Sequence, residues 1–586
     1  MNRNVESHFS MLPSAEIQRS RFDRSQDIKF TFNVGDLIPF FVDEVLPGDT
    51  FDITTSKVVR MQTLLTPVMD NIYLDTYFFF VPNRLVWTHW RELMGENTSS
   101  AWIPEPEYSV PTIKLKDHTY ENDGKVNVGD VLDYMGVPVG VSAASDATAN
   151  IPEVNALPYR AYQLIYNEWF RDENLVDPVN IQKGDTSYDY AQICTNDSGS
   201  FVCPPFKAAK YHDYFTACLP GMQKHGPVAA PVSDLGVGYR LSTYSLDKPH
   251  NLTWPGSQYN VAALHGYFQP SESYEANAGY ARVSANSSTF VPTGATQNAA
   301  MLTGAGTSQG TSIVTTGFQP DNLYTWANPG DWNLGIDVSD LRYAFQLQKL
   351  YERDARGGTR YIELIRSHFN VMSPDARMQR PEYLGGNRIP ISIHQITNQS
   401  QGESDFLGDL GAMSLTTDKH SDFVKSFTEH GFVIGLCVAR YDHSYPQGLN
   451  RMWSRKTRFD YYWPVLANLS EQAVLKKEIC LAAASSDDRA FGYQERWAEY
   501  RYAPNRVAGE MRPGISNTLD SWHFADYYQS VPSLSSGWIA EDKTNVDRCL
   551  AVTSSVSNQL FADIYVKNYT TRPMPLYSIP GLIDHH

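Results

Sequence analysis

Strand-like segments near both ends of the chain are the feature that most limits its fold. Runs rich in β-branched and aromatic residues cover 37–45, 50–61 and 72–81, and the turn sequences LPGDT and TPVMDN separate them. Similar runs return at 430–445 and 558–569. We therefore predict that strands from the two ends form one antiparallel structure, and that the residues between them are insertions.

The middle of the chain has helical periodicity. Apolar residues recur every three or four positions over 158–171 and predict a helix there. A second helix is predicted over 340–355, with Ser339 as its cap and Gly357 at its end, and a short third one within 360–369. This order excludes a βαβ repeat. It favours a mainly β sandwich or barrel with long helical insertions, of which the jelly roll is the commonest.

The composition is that of a folded protein. Hydrophobic residues make up 42% and charged residues 19% of the 586 positions. No apolar run reaches the roughly 18 residues of a membrane span, so we expect no membrane insertion. The six cysteines are too sparse for a disulfide scaffold and form no C-x-x-C pair. We expect them to be buried free thiols in a reducing compartment.

One segment, 283–320, differs in composition from the rest of the chain. It contains no Lys, Arg, Asp, Glu or His in 38 residues. A window of this length without charge is improbable at the chain's average charge content. We expect a separate surface element or a loose loop here.

Motifs for catalysis are weak. The G-x-S-x-G pattern at 306–310 lacks the strand and helix that a nucleophile elbow needs on its two sides. The DSG at 197–199 has no second copy to form a carboxylate dyad, and the DHH at 584–586 offers too few metal ligands. We therefore predict no catalytic residue, no cofactor site and no metal site.

Cations and aromatic residues cluster locally in a chain whose formal charge is −17. The segment 451–458 holds four cations and no acid, and 342–388 holds nine Lys or Arg against five Asp or Glu. Such segregation fits either phosphate binding with base stacking or a subunit interface. The candidate DNA-facing or inter-subunit cations are Arg451, Arg455, Lys456, Arg458, Arg353, Arg356, Arg360 and Arg366. The candidate inter-subunit aromatic residues are Trp169, Phe170, Trp453, Tyr461, Tyr462 and Trp463.

Several long runs resemble the major capsid proteins of the Microviridae, the small circular single-stranded DNA phages, and specifically the gokushovirus branch. Among them are YLDTYFFFVPNRLVW, LQKLYERDARGGTRYIELIRSHF, GLNRMWSRKTRFDYYWP and RPMPLYSIPGLIDHH. The resemblance covers most of the chain outside about 230–335. It implies an eight-stranded antiparallel jelly roll with long inter-strand insertions. It also implies a non-enzymatic role in which sixty copies build a T=1 icosahedral shell around the genome.

The resemblance also implies a domain division and a set of partners. The jelly-roll core would be 1–229 with 336–586, and 230–335 would be a surface insertion that protrudes at the threefold axis. Candidate protrusion residues are Val283, Phe290, Met301, Leu302 and Phe318. The implied partners are further copies of the chain, single-stranded DNA bound without sequence specificity, and a small basic DNA-binding protein, an internal scaffolding protein and a DNA pilot protein of the same virus. A host surface receptor for the protrusion and assembly in the bacterial cytoplasm belong to the same expectation.

Judged without the resemblance, a second function remains open. A carbohydrate-binding or carbohydrate-active β-sandwich would use the 12 Trp and 35 Tyr to stack against sugars. A hydrolytic version would need paired carboxylates in a groove.

Overall fold

The computed structural model describes residues 18–96, 108–115, 126–139, 152–193, 195–197, 200–225, 338–358, 360–370, 378–399, 407–408 and 410–577, with residue 228 and short strands between 242 and 326. The chain divides into two compact units. One consists of Met1–Gly226 with Lys349–His586, and the other of Pro227–Gln348. The insertion predicted at 230–335 falls inside the second unit.

Within the described part of the first unit, eight long strands form the framework. In chain order they are β1 (Gln26–Phe32), β2 (Ile38–Val45), β3 (Thr50–Met61), β4 (Ile72–Pro82), β5 (Glu382–Pro390), β6 (Thr416–Ser426), β7 (Gly431–Tyr441) and β8 (Leu560–Arg572). One antiparallel sheet has the order β1-β8-β3-β6, and the short strand Ser20–Asp23 also pairs with β8. The other sheet has the order β2-β7-β4-β5.

This strand order is that of a jelly roll. The chain changes sheet at every connection along the framework except β4 to β5, so neighbours in sequence lie in opposite layers. The predicted mainly β, antiparallel jelly roll is confirmed. The long insertions enter at two points, 83–381 between β4 and β5 and 442–559 between β7 and β8.

The burial of two strands shows how the layers pack. β8 buries alternate side chains, among them Leu560, Ile564 and Val566, because one face meets the opposite sheet and the other does not. By contrast, β7 is buried along nearly its whole length. Val433 lies on the face that packs between the two sheets. Ile434 lies on the opposite face, which packs under the β4–β5 insertion.

Helices occur in the β4–β5 insertion, where the periodicity places them. Helix α1 (Leu157–Ile165) continues into a π-helical turn, Tyr166–Phe170, and together they match the predicted 158–171 to within one residue at each end. Helices α2 (Val338–Arg356) and α3 (Tyr361–Phe369) confirm the other two predictions. Ser339 lies inside α2 rather than at its N-cap, because the helix begins at Val338, two residues earlier than predicted.

Two strand ends differ from the prediction by three or four residues. The strand predicted to reach residue 445 ends at Tyr441, and the one predicted to end at residue 569 continues to Arg572. After Tyr441 the chain turns into a buried polar network, which a hydrophobic pattern does not distinguish from a strand.

Shorter strands complete the first unit. Thr112–Lys114 pairs with Glu153–Asn155 and Tyr188–Asp189. Three two-stranded sheets are formed by Thr195–Asp197 with Ser200–Val202, Ile393–Thr397 with Leu410–Ser414, and Gln472–Leu475 with Ala490–Gln494. The described cysteines, Cys203, Cys218, Cys437, Cys480 and Cys549, are buried free thiols, and Cys194 lies outside the described residues.

The second unit has strands of its own. A four-stranded sheet has the order Phe290–Thr293, Gly279–Val283, Leu264–Phe268 and Phe318–Pro320, and Ser242–Ser245 pairs with Leu323–Trp326. Val283, Phe290 and Phe318 therefore belong to one sheet, whereas Met301 and Leu302 lie outside the described residues. The position of this unit at a threefold axis stays a prediction.

Candidate functional site

The residues 450–466, called here the aromatic loop, lie in the β7–β8 insertion. Three single 3-10 turns shape the loop: Arg451–Ser454, Arg458–Asp460 and Pro464–Leu466. The Asn450 side chain accepts a hydrogen bond from the backbone N–H of Met452 at 3.0 Å. The Asp460 carboxylate accepts from the N–H groups of Lys456 and Thr457 at 2.9 and 2.7 Å. These local hydrogen bonds define the loop without a regular element.

Two of its four cations anchor the loop to its own chain. The Arg451 guanidinium lies 3.2 Å from the Glu478 carboxylate and donates to the carbonyl of Ala473 at 2.9 Å. Arg455 pairs with Glu499 at 3.5 Å and lies over the ring of Tyr500, 4.1 Å from its centroid. Burial raises the pKa of Glu478, although Arg451 stabilises its charged form. Arg451 and Arg455 are thus neutralised within the subunit.

The other two cations, Lys456 and Arg458, face solvent. Both side chains are exposed, and neither forms an ion pair within the described residues. The Arg458 guanidinium lies 4.7 Å from the Phe459 ring centroid. An anion from outside the subunit can reach both of these cations.

Large apolar side chains of the loop also face outward. Trp453 is 72% exposed, Phe459 60% and Val465 92%, and about half of the surface of Tyr461, Tyr462 and Trp463 is exposed. Their support is Trp497, which is buried, packs edge-on against Tyr462 and donates its indole N–H to the carbonyl of Leu466 at 3.0 Å. Exposed apolar surface held in a fixed shape is typical of a surface that a partner covers.

The candidate cations in and beside α2 and α3 also fall into two groups, those paired with acids of the same chain and those exposed to solvent. Arg360 pairs with Glu168, Glu173 and Glu363, and so ties α3 to the π turn after α1. Arg356 pairs with the buried Glu471. Arg353 and Arg366 are exposed on the helices.

The two candidate aromatic residues beside α1 have different surroundings. Phe170 is buried, and its ring centroid lies 5.2 Å from that of Tyr77 in β4, so it serves the packing of its own subunit. Trp169 is 40% exposed, donates its indole N–H to the carbonyl of Pro381 at 3.2 Å and lies under the guanidinium of Arg380. Of this pair, only Trp169 has exposed surface available for a contact between copies.

A buried polar network that the sequence analysis did not identify fixes the β7–β8 insertion. His443 lies between two carboxylates, with Nδ1 2.8 Å from Asp526 and Nε2 2.9 Å from Glu541. Burial opposes protonation of His443, but the carboxylates outweigh it and raise its pKa to about 9. Tyr528 donates its hydroxyl to Asp526 at 2.6 Å. The partners are 83 and 98 positions from His443, so no local pattern identifies them.

Neither a metal site nor a membrane span emerges from the described residues. No group of His, Cys, Asp and Glu there is arranged to hold a metal ion. No helix among them has the length and apolar character needed to cross a bilayer.

Comparison with known proteins gives a similarity over the whole chain. The family described as capsid protein (F protein) matches residues 10–582. Capsid protein VP1 of Chlamydia phage 1 is 37% identical over 619 residues, with 99% of this chain and 98% of the relative covered. The VP1 proteins of Bdellovibrio phage phiMH2K and Spiroplasma virus 4 are 37% and 36% identical with the same coverage. The carbohydrate-binding alternative gains no support from these comparisons.

Proposed function

This chain belongs to the phage capsid protein (F protein) family, and from that premise we propose that sixty copies of it close into a T=1 icosahedral shell around circular single-stranded DNA. The chain is a structural major capsid protein, and its location is the virion. The role is structural rather than enzymatic, as the family implies. The number of copies, their symmetry, the nucleic acid and assembly in the bacterial cytoplasm are parts of the proposal.

The exposed side chains of the aromatic loop are the observation that carries the proposed assembly. A closed shell of identical subunits requires heterologous contacts, in which a surface of one copy meets a different surface of the next. Tyr, Trp and Arg are the residues enriched at the centres of such contacts. Covering one large aromatic side chain contributes about 1.5–3 kcal/mol. We assign the aromatic loop to the seam between neighbouring subunits.

Binding of DNA rests on the two loop cations that form no ion pair among the described residues. Lys456 and Arg458 are exposed and belong to a loop whose shape is fixed, so they are suited to phosphate contacts at the inner edge of a seam. Phosphate contacts carry no base information, which agrees with a shell that accepts the genome as a whole.

The net negative charge of the chain indicates that another protein must help to neutralise the DNA. A subunit with a formal charge of −17 does not neutralise a DNA genome by itself. We therefore include a small basic DNA-binding protein of the same virus in the proposal. We also include an internal scaffolding protein, a DNA pilot protein and a host surface receptor for the second unit, on the ground of the family alone.

The assembly proposal is tested by removing aromatic surface from the loop. Trp453→Ala is expected to abolish particle formation or to lower the yield of particles at least tenfold, because about 1.5–3 kcal/mol per contact is lost in many copies at once. Trp453→Phe keeps a ring and serves as the control. Sedimentation and negative-stain electron microscopy of the full chain measure the outcome. Wild-type particle yield from Trp453→Ala, with the folded state verified by circular dichroism, would remove the loop from the seam.

A further inference from the structure

A cavity of about 310 Å³ lies beside β4 and the π turn after α1. Its walls are mainly aromatic: Tyr77 and Phe79 come from β4, Phe170 from the π turn and Tyr383 from β5, and Tyr211 adds a further ring. The volume is at the lower end of the range for small-molecule sites. The rings of Tyr77, Phe79, Phe170 and Tyr383 contact one another and form a continuous aromatic wall, which suits a flat ligand that stacks on it.

Two arginines that line the cavity have unused donors. Arg440 directs one Nη to Asp75 at 2.6 Å and the other to the carbonyl of Ala209 at 3.2 Å, and its buried Nε has no acceptor within the described residues. Arg171 donates from Nη1 to the carbonyl of Val176 at 2.6 Å, and its buried Nε also lacks an acceptor there. A buried donor without an acceptor destabilises a protein by about 1–3 kcal/mol. Both guanidinium groups therefore keep hydrogen-bonding capacity that the described residues do not use.

The charge around the cavity favours an anion. Among the lining residues, Arg171, Lys210 and Arg440 outnumber the single acid Asp172, and of these cations Lys210 also lies 3.9 Å from Asp526. The nearby Asp75 is already neutralised, because it lies between Arg440 and Arg388, with Arg388 at 2.7 Å. Burial opposes ionisation of Asp75, but the hydrogen bonds from these arginines outweigh it and lower its pKa.

We propose that this cavity binds a nucleotide, with the base stacked on the aromatic wall and the phosphate facing Arg440 and Arg171. Base stacking on aromatic side chains combined with charge-assisted hydrogen bonds to phosphate is the general chemistry of single-strand binding. Stacking does not distinguish one base from another, because every base has an aromatic face. A free mononucleotide and a nucleotide unit of single-stranded DNA share this chemistry, and only the choice of DNA as the source rests on the proposed function.

Photocrosslinking to the full chain tests the site directly. One probe is 5-bromodeoxyuridine monophosphate, and the other is a 16-residue oligodeoxynucleotide that carries the same base. After irradiation, peptide mapping by mass spectrometry is expected to find the adduct on Tyr383, Tyr211 or Trp169. Labelling by the oligonucleotide alone identifies DNA as the source, and labelling by the mononucleotide alone identifies a free nucleotide.

Variants distinguish a binding role from a structural one. Tyr383→Ala and Arg171→Gln are each expected to lower the labelling of the cavity about tenfold, as the loss of one stacking or charged contact predicts. Tyr383→Phe keeps the ring and is expected to restore labelling. Tyr361→Ala and Arg91→Gln change exposed residues that do not line the cavity, so they are expected to leave labelling unchanged.

Two results separate this inference from the shell proposal. Adducts found only outside the cavity, or cavity labelling unchanged in Tyr383→Ala and Arg171→Gln, would overturn the nucleotide site, even if particles form normally. Cavity labelling by the mononucleotide in a protein that never forms particles would retain the site and count against the shell.

Discussion

His443 lies at the point where the chain leaves β7 and enters the β7–β8 insertion. Its imidazole bridges Asp526 and Glu541, and the ring of Tyr441 packs against it with centroids 4.4 Å apart. Lys210, from the other insertion, lies 3.9 Å from Asp526. His443 pulls the pKa of Asp526 down to about 2 against the opposing effect of burial. His443 therefore links the end of β7 to two later parts of the β7–β8 insertion, and Asp526 links this network to Lys210 in the β4–β5 insertion.

The stability of the subunit is expected to fall at alkaline pH. The pKa of His443 is raised from 6.5 to about 9, so the stabilisation is complete below about pH 6.5 and is lost as pH rises through 9. His443→Gln is expected to lower the unfolding free energy by about 3 kcal/mol at pH 7 and to flatten the dependence between pH 7 and 10. Thermal unfolding at several pH values measures both effects. An equal slope in the variant and the wild type would contradict the assignment.

At the scale of elements, the aromatic loop shows what the sequence predicted and what it did not. The dense run of cations and rings identified the loop as unusual. The run did not show that Arg451 and Arg455 turn inward while Lys456 and Arg458 face out. Their partners, Glu478 and Glu499, come close only because the strands Gln472–Leu475 and Ala490–Gln494 pair. Such pairing is long-range information that charge counting along the chain does not contain.

The strands show the same limit. The alternation in β8 follows from one face being buried, so its existence was predictable, whereas β7 is buried on both faces and has no alternation to mark its end. The helices were predictable because an amphipathic stripe repeats every 3.6 residues. The order of strands across the two sheets came only from the resemblance and the structure.

Loosening the base of the aromatic loop is expected to expose its backbone to protease. Glu499→Gln removes the acid shared by Arg451 and Arg455, at a cost of about 1 kcal/mol to the closed loop. Trypsin cleavage at Lys456 or Arg458 is then expected to be about fivefold faster. Glu510→Gln alters an exposed acid in the same insertion and serves as the control. Equal cleavage rates for the two variants would show that Glu499 does not hold the loop.

At the scale of the whole molecule, the jelly roll supplies a rigid frame and the insertions supply surface. The two long insertions contain the candidate cations and aromatic residues described above. The cavity is lined partly by the β4–β5 insertion and partly by side chains of β4, β5 and β7. The match to the capsid protein (F protein) family extends over residues 10–582 and so includes both insertions. We therefore expect the exposed parts of the insertions to form the contacts between copies.

An electron cryomicroscopy reconstruction of the purified full chain, assembled under conditions in which particles form, tests this account most directly. We expect a closed icosahedral particle of sixty subunits in which Trp453, Phe459 and Trp463 are covered by a neighbouring copy. A chain that stays monomeric under all assembly conditions, or a particle in which the aromatic loop faces only solvent, would contradict the account.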